Sequence, residues 1–481
     1  MGLDEPRRAA YIAAYDLFEA VQSERHAAAV AALPAARQIA ARHGWADVGF
    51  VLQAAGTVHA VTRSIDPAQT KDSAEALVTR AEELGAPAML AIALALRAVA
   101  SSAVGDTAGL MADASRAVAL LDDEHQPPLD RCTGLVVAAA AFNTLRLWEL
   151  VDELYTRAGD LEPYCEAPAQ AAAIAVNRVI TRVEWALALL ENGDPAEAET
   201  RLAQAAEAVP AALAQQLPPL WLRDVEACAA IIGLLRGQNP DSLQPSLAHH
   251  RQVLAAGGDI EVLPLLEAAT ALALWRIGRP KAATAAADQL APAASASSGA
   301  RSFPLWARAH ILAGAEPSDV VKAQQDHAAL LGQLRWESRQ AVLVATRSQI
   351  AAERRRAEHE SLSRAVNTDP LTGLSNRLPF NAWLERRAPA RQLPMARLLV
   401  DLDEFKQVND AYGHDCGDEV LRRFGQVLLS SVRPGDLAVR HGGDEFAVLL
   451  ESEHLTLPVA RQRALDLLTS IAAEPWGALA P

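Results

Sequence analysis

The chain has 481 residues, enough for two or three separately cored domains. Half of it is hydrophobic but only 5% is aromatic, so its apolar content is mainly Ala, Leu and Val, a composition that favours helix over sheet. A formal charge of −15 excludes a broad nucleic-acid or anionic-membrane surface, so a nucleotide would have to meet localised positive charge or a metal.

The N-terminal stretch MGLDEPRRAAYIAAYDLF carries acids and arginines before any apolar run, which is not the pattern of a secretory signal. The longest apolar runs, 86–96 and 135–142, are too short to span a bilayer. Cys132, Cys165, Cys228 and Cys416 lack metal-site or disulfide-framework spacing and read as small hydrophobes in a reducing compartment. A cytoplasmic protein with no membrane and no nucleic-acid partner is expected.

To about residue 320 the pattern is helical and one phrase recurs. GDPAEAETRLAQAAEAVP begins at Gly193 and places Ala198, Leu202, Ala205 and Pro210 after a Gly-Asp turn. The segment from Gly105 places Leu110, Ala114 and Ala117 similarly, and that from Gly278 places Ala283, Ala287 and Leu290. Small residues at these offsets let two helices approach closely while the glycine turns the chain. The phrase resembles the tetratricopeptide repeat, with a proline expected at the end of the second helix. Weaker echoes lie near Asp66, Leu147 and Gly237; the spacing of roughly 40 to 46 residues exceeds the ~34 of the standard repeat. The expectation for 1–320 is a divergent α-solenoid whose concave surface serves as a sensory or interaction platform for a protein or peptide partner. His249 and His250 have no metal-like partners and are expected on a solvated face.

Residues 321–366 read as a connector. After Pro317 and Ser318 only Gly332 interrupts a helical pattern, and the heptads are poor, with Leu331 and Leu334 on a seam that Ser338, Ser348 and Arg355 would break. A long exposed helix is expected, with a parallel dimeric coiled coil as the alternative. The arginines at 354–356 read as a solvated face.

From residue 367 the composition changes. NTDPLTGLSNR clusters turn and cap residues, a helix is expected over 378–387, and a loop with Pro389 and Pro394 follows. ARLLVDLDEF is a short apolar run ending in acids; as strand residues, Asp401 and Asp403 would share a face and could seat a hard cation. EFKQVNDAYGHDCGDEVLRRFGQVLLSSV predicts a short helix, a glycine turn and a longer helix with Val420, Leu421, Phe424, Val427 and Leu428 buried. Asp418 and Glu419 are expected in that helix's first turn, where a carboxylate suits the dipole; Asn409 and Asp418 could alternatively read a guanine edge. RPGDLAVRHGGDEFAVLLE predicts strands over 437–441 and 444–450 joined by a Gly442–Gly443 turn. Asp444 and Glu445 follow at once, and if this hairpin lies beside the Asp401 strand, three or four carboxylates converge where a divalent metal is needed. A helix over 457–473 completes the pattern.

GGDEF at 442–446, DLDEFKQVNDAYGHDCGDEVL at 401–421 and DPLTGLSNR at 369–377 together resemble the diguanylate cyclase family over about 115 residues. The resemblance implies a palm-like α/β fold that condenses two GTP molecules into cyclic di-GMP and pyrophosphate, using two Mg²⁺ or Mn²⁺ ions per site and two domains facing each other in a homodimer. It implies Asp401, Asp444 and the Leu402 carbonyl as metal ligands, and Glu445 as the group that deprotonates or orients the attacking hydroxyl. GTP would further meet Phe405, Lys406, Asn409, His414, Asp418, Gly442 and Gly443, with Asn409 and Asp418 on guanine. Arg433 and Asp436 form the RxxD pattern of the inhibitory product site; an ordinary Pro434–Gly435 turn is the plainer reading.

The mainly α chain is thus expected to comprise a repeat domain (1–320), a helical connector (321–366) and a GGDEF domain (367–481). Relative to the family the last is expected to lack its VTxSIG-type strand, final helix and final strand, with the basic phosphate contacts these supply. Two functions stay open: a cyclase regulated by its repeats, or a non-catalytic scaffold whose remnant domain binds GTP or cyclic di-GMP.

Overall fold

The computed structural model describes residues 4–22, 26–62, 66–165, 167–256, 261–291, 298–315, 318–385, 394–433 and 435–478. Pro317, Pro389 and Pro434, which figured in the sequence reading, lie outside these. Contacts divide the chain into two compact units, 1–354 and 355–481.

The first unit opens with α1 (Glu5–Ala20), α2 (His26–Arg42), α3 (Ala46–Thr62), α4 (Pro67–Leu84), α5 (Pro87–Ala103), α6 (Thr107–Leu120), α7 (Pro128–Thr144) and α8 (Trp148–Leu161). It continues with α9 (Pro168–Glu191), α10 (Pro195–Leu213), α11 (Pro219–Leu235), α12 (Gln244–Ala256), α13 (Val262–Arg276), α14 (Pro280–Asp288) and α15 (Ser298–Ala315). Consecutive helices pack as hairpins: α5 with α6, α7 with α8, α9 with α10, and α13 with α14.

The turns explain the sequence phrase. Gly105, Gly193 and Gly278 adopt φ of 76°, 80° and 76°. The following amides of Asp106, Asp194 and Arg279 reach back to the carbonyls of Ser101, Leu189 and Leu274 at 2.9, 2.9 and 3.1 Å. This is the Schellman closure, which needs a left-handed residue and satisfies carbonyls the helix end leaves open. The echo near Leu147 has the same closure, Leu147 N to Phe142 O at 3.1 Å, but its left-handed residue is Arg146, with φ of 56°. A missing glycine is why that repeat reads weakly. Asp106 and Asp194 then cap α6 and α10 through Gly109 N and Glu197 N.

The second helices bury the expected small stripe: Leu110, Ala114 and Ala117, then Ala198, Leu202 and Ala205, then Ala283, Ala287 and Leu290. Two expectations are corrected. Pro210 lies inside α10 rather than at its end. His250 is buried and its Nε2 sits 2.8 Å from Ser246 Oγ, because α12 turns that face inward. Cys132, Cys165 and Cys228 are buried, and no cysteine forms a disulfide among the described residues. No helix there is long and apolar enough to cross a membrane.

The connector helix α16 (Asp319–Asn367) is continuous, but its exposure was misjudged. Leu343, Thr346 and Ile350 are buried, and Leu343 and Ile350 belong to the core built by α1–α8. Trp336 stacks on Trp148, with ring centroids 6.4 Å apart. Arg339 donates to both Glu149 oxygens at 2.8 and 2.5 Å and to the Arg146 carbonyl at 3.1 Å. The weak heptads follow from this: Trp336, Val342, Leu343 and Ile350 pack against repeats, while Val344 between them stays exposed.

In the second unit, β1 (Met395–Asp401), β2 (Leu437–Gly442) and β3 (Glu445–Glu451) form an antiparallel sheet in the order β1–β3–β2. Alternation along β3 puts Phe446, Val448 and Leu450 against α19 (His414–Ser431) and α20 (Leu457–Ala472), where Leu421, Phe424 and Leu428 meet them. Ala447 and Leu449 face the other way, with Phe380 and Trp383 of α17 (Arg377–Glu385). Among the described residues β1 pairs only with β3, and Leu399 is 68% exposed. Val420 is half-buried rather than buried.

Candidate functional site

The site forms where β1 ends, where the β2–β3 hairpin turns, and where α18 (Phe405–Tyr412) leads into α19. In the β1–β3 ladder Asp401 stands opposite Glu445, so the acidic end of one strand abuts the start of the other. The hairpin turn is Gly443–Asp444, not Gly442–Gly443: Gly442 still pairs with Glu445, after a bulge that follows Arg440. Gly442 and Gly443 have φ of 151° and 57°, and nothing lies within 4 Å of where either Cβ would be. Backbone conformation, not crowding, requires glycine there, and the space above the turn is open to a ligand.

Asp403 does not continue the strand. β1 stops at Asp401, and Asp403–Glu404 form a turn in which Glu404 is left-handed, with φ of 59°. The Leu402 carbonyl accepts the Phe405 amide at a long 3.4 Å and keeps a lone pair free. Asp401 and Glu445 are exposed and Asp444 half-buried. Among the described residues no three His, Cys, Asp or Glu side chains are grouped closely enough to hold a metal, so the expected convergence of three or four carboxylates is not present. Two carboxylates and a carbonyl still suit Mg²⁺, which commonly takes only one or two protein carboxylates and completes its shell with phosphate oxygens and water.

The next motif begins with Phe405 and Lys406 on the first turn of α18; Phe405 is partly buried against the α19 core and Lys406 is exposed. Gly413 alone separates the two helices, so α19 starts at His414, and Asp415, not Asp418, occupies its first turn. The dipole account of Asp418 therefore weakens. Gly417 is where the helices touch: a Cβ there would run into Asn409 Oδ1 and come within 3.3 Å of the Phe405 ring. Asn409 and Asp418 are both half-buried beside this contact. His414 is exposed at the α19 N-terminus.

Arg440 was missed by the sequence reading. Its guanidinium donates to Asp369 Oδ1 at 3.1 Å and, through Nε and Nη2, to the Gly443 carbonyl at 3.0 and 2.8 Å. Asp369 in turn accepts from the Thr372 amide at 2.9 Å and hydroxyl at 2.7 Å. Burial opposes ionisation of Asp369, but these Thr372 bonds and the Arg440 charge together hold its carboxyl below the usual carboxylate range. Ser375 bonds to β2 on both sides, Ser375 N to Ala438 O at 3.1 Å and Arg440 N to Ser375 O at 2.9 Å. The DPLTGLS loop thus braces the turn that presents Asp444. An arginine among apolar strand residues just before paired glycines was the available signal.

Residues 366–475 match the family profile described as diguanylate cyclase, GGDEF domain. They are a GGDEF domain. Diguanylate cyclase DgcS of Shewanella oneidensis is 41% identical over 97 residues, covering 20% of this chain and 33% of the relative. Response regulator PleD of Caulobacter vibrioides is 50% identical over 93 residues, covering 19% and 20%. Among solved structures, the coiled coil and GGDEF domain of DgcB from Caulobacter crescentus, in complex with c-di-GMP, is 30% identical, covering 27% of this chain and 67% of that one at a TM-score of 0.24. The chain spans a third or less of the length of these two curated relatives.

In this GGDEF domain Arg433 is exposed, and its Nη2 donates to the Glu451 carbonyl at 3.4 Å. The Asp436 carboxylate is fully covered; one oxygen lies 3.5 Å from both Arg433 and Arg463, and the other has no hydrogen-bond partner among the described residues. Arg463 of α20 is a second residue the sequence reading missed. Distance along the chain hid it, since only the fold brings it beside the RxxD turn.

Proposed function

We propose that the chain is a diguanylate cyclase that condenses two GTP molecules into cyclic di-GMP. The observation that carries this reading is the Asp401–Glu445 register beside an open glycine turn presenting Asp444. Each domain binds one GTP, and a homodimer sets two domains face to face. The 3′-hydroxyl of each nucleotide then attacks the α-phosphorus of the other and displaces pyrophosphate, so two P–O bonds form as two break.

Asp401, Asp444 and the Leu402 carbonyl would hold two Mg²⁺ or Mn²⁺ ions with the triphosphate, and the metal, when bound, neutralises charge on the attacking and leaving oxygens. Glu445 takes or orients the hydroxyl proton. Lys406 and the first turn of α18 lie along the phosphates, Gly442 and Gly443 let them approach the backbone, and His414 borders the nucleotide. Asn409 and Asp418 supply the amide and carboxylate that read guanine's edge. Arg433 and Arg463 offer guanidinium groups to a phosphate or guanine of the product, with Asp436 holding both in place; this is the inhibitory site. The repeat unit regulates turnover through α16 and takes a protein or peptide partner.

The test is Asp444→Ala in the full chain, with GTP and Mg²⁺. Loss of metal-dependent turnover at least 100-fold, with GTP-analogue binding measured separately, supports the assignment. Unchanged turnover refutes it.

A further inference from the structure

Helices α8, α9 and α10 of the repeat unit border a pocket of about 380 Å³. Its apolar lining consists of Ala171, Ile174 and Ala175 of α9, Ala208 and Ala211 of α10, and Gly159 of α8, which adds no side chain. Three charged groups also line it: Arg178 and Arg182, one turn apart on α9, and Glu207 on α10. Arg182 is engaged, since its Nε donates to Asp152 Oδ1 at 2.9 Å and its Nη1 to the Gln204 carbonyl at 3.1 Å.

Arg178 is not engaged. It is half-buried, and among the described residues its guanidinium makes no hydrogen bond or ion pair, with Nε wholly covered. Burial pushes its pKa down and the Arg182 charge adds to this; Asp152 and Asp160 of α8 oppose both without coming into ion-pair contact. Its Nη1 lies 3.8 Å from where a Cβ on Gly159 would stand, so the glycine leaves room beside the guanidinium. Glu207 is exposed, makes no hydrogen bond or ion pair among the described residues, and is not one of the charges acting on Arg178. Two unlike charges thus line one pocket without meeting. A simple anion does not suit it, because Arg178 and Arg182 are outnumbered by Asp152, Asp160 and Glu207. An apolar pocket with one free group of each sign is built for a small molecule that carries both.

We propose that this pocket binds a free α-amino acid with an apolar side chain, its carboxylate on Arg178 and its ammonium on Glu207. The two Nη groups of Arg178 donate to the carboxylate oxygens, a bidentate pairing that no residue of the chain supplies. The ammonium donates to Glu207, and the side chain lies on Ile174 and the alanines of α9 and α10. One wall, α8, also grips the connector helix through Glu149 and Arg339, so an occupied pocket bears on the helix that leads to the second unit. The proposal stands apart from the cyclase reading, because its readout is binding.

The experiment is calorimetric titration of the full chain with L-leucine and L-phenylalanine. Isoamylamine and phenethylamine, which lack their carboxylates, and isocaproate and hydrocinnamate, which lack their ammonium groups, serve as the comparison. Saturable binding of an amino acid at least tenfold tighter than either of its analogues is expected. Arg178→Gln and Glu207→Gln should each weaken it at least tenfold while keeping the wild-type thermal transition; Glu124→Gln, an exposed acid between α6 and α7, should not. Glu207 is exposed, so its variant tests the site without disturbing the core. No saturable binding by either amino acid, analogues that bind as tightly, or wild-type affinity in either pocket variant that remains folded would overturn the proposal.

Discussion

Replacing Arg440 should uncouple the DPLTGLS loop from the hairpin turn without touching a proposed metal ligand. Its side chain is 12% exposed and that of its partner Asp369 20%, so the pair is shielded without being deeply buried. Arg440→Ala removes the ion pair and two N–H bonds to the Gly443 carbonyl; charge-assisted bonds are worth about 1.5–3 kcal/mol each when made, and partial hydration of the orphaned groups reduces the sum to about 2–3 kcal/mol. For a domain of this size that lowers the midpoint of thermal unfolding by about 10 °C. Hydrogen exchange at the 442–445 amides should quicken, and cyclic di-GMP formation should fall at least tenfold, since the turn presenting Asp444 loses its brace. Arg440→Lys restores charge but not the fork, and should recover part of the stability and little of the turnover. Wild-type exchange at the turn in Arg440→Ala would refute the bracing argument; wild-type turnover with a loosened turn would break the link from bracing to function.

Four other outcomes follow from the geometry. Asp369 ionises more readily folded than unfolded, so its contribution is full above the ordinary carboxylate range and is lost as pH falls through its lower folded value; Asp369→Asn should flatten acid unfolding of the GGDEF domain below about pH 4. Glu19, with its carboxyl pushed up to about 8 by burial and by the Asp16 charge, behaves oppositely. Its stability is full below the unfolded value and declines as pH rises towards about 8, so Glu19→Gln should remove a slope of about 1.4 kcal/mol per pH unit from urea unfolding of the repeat unit. Gly443→Ala meets no steric obstacle but must hold a left-handed φ, costing about 1–2 kcal/mol and slowing turnover; crystallography of the variant should show a rearranged turn rather than a displaced neighbour. Arg339→Ala leaves Glu149 without its bidentate partner and unstacks two tryptophans, so hydrogen exchange over 336–350 should rise at least tenfold while exchange in α9 stays unchanged.

The parts of the fold legible in the sequence were those whose cause is local. Gly105, Gly193 and Gly278 announced helical hairpins because a left-handed closure needs glycine, and the stripe from Leu421 to Leu428 announced a buried helix face. Where the cause was non-local, the reading slipped. Arg146 hides a repeat turn because an arginine takes the glycine's place under tertiary constraint. The burial of Leu343 and Ile350 depends on repeats some two hundred residues earlier in the chain, which no heptad count can register. At the candidate site, the placement of Asp401 opposite Glu445 and of Asp444 in the adjoining turn was partly visible because acids at strand ends stand out. The bulge after Arg440, which moves the turn to Gly443–Asp444, was not, since register is set by pairing with β3. Arg463 and Asp369 were invisible as partners for the same reason: the fold, not the spacing, brings them to Asp436 and Arg440.

The most direct measurement is the product formed when the purified chain is incubated with GTP and Mg²⁺ and resolved by mass. The account predicts cyclic di-GMP, with two pyrophosphates released per product molecule and formation rising with protein concentration as homodimers assemble. GTP that binds and is recovered intact, at protein concentrations where the chain is dimeric, would contradict it.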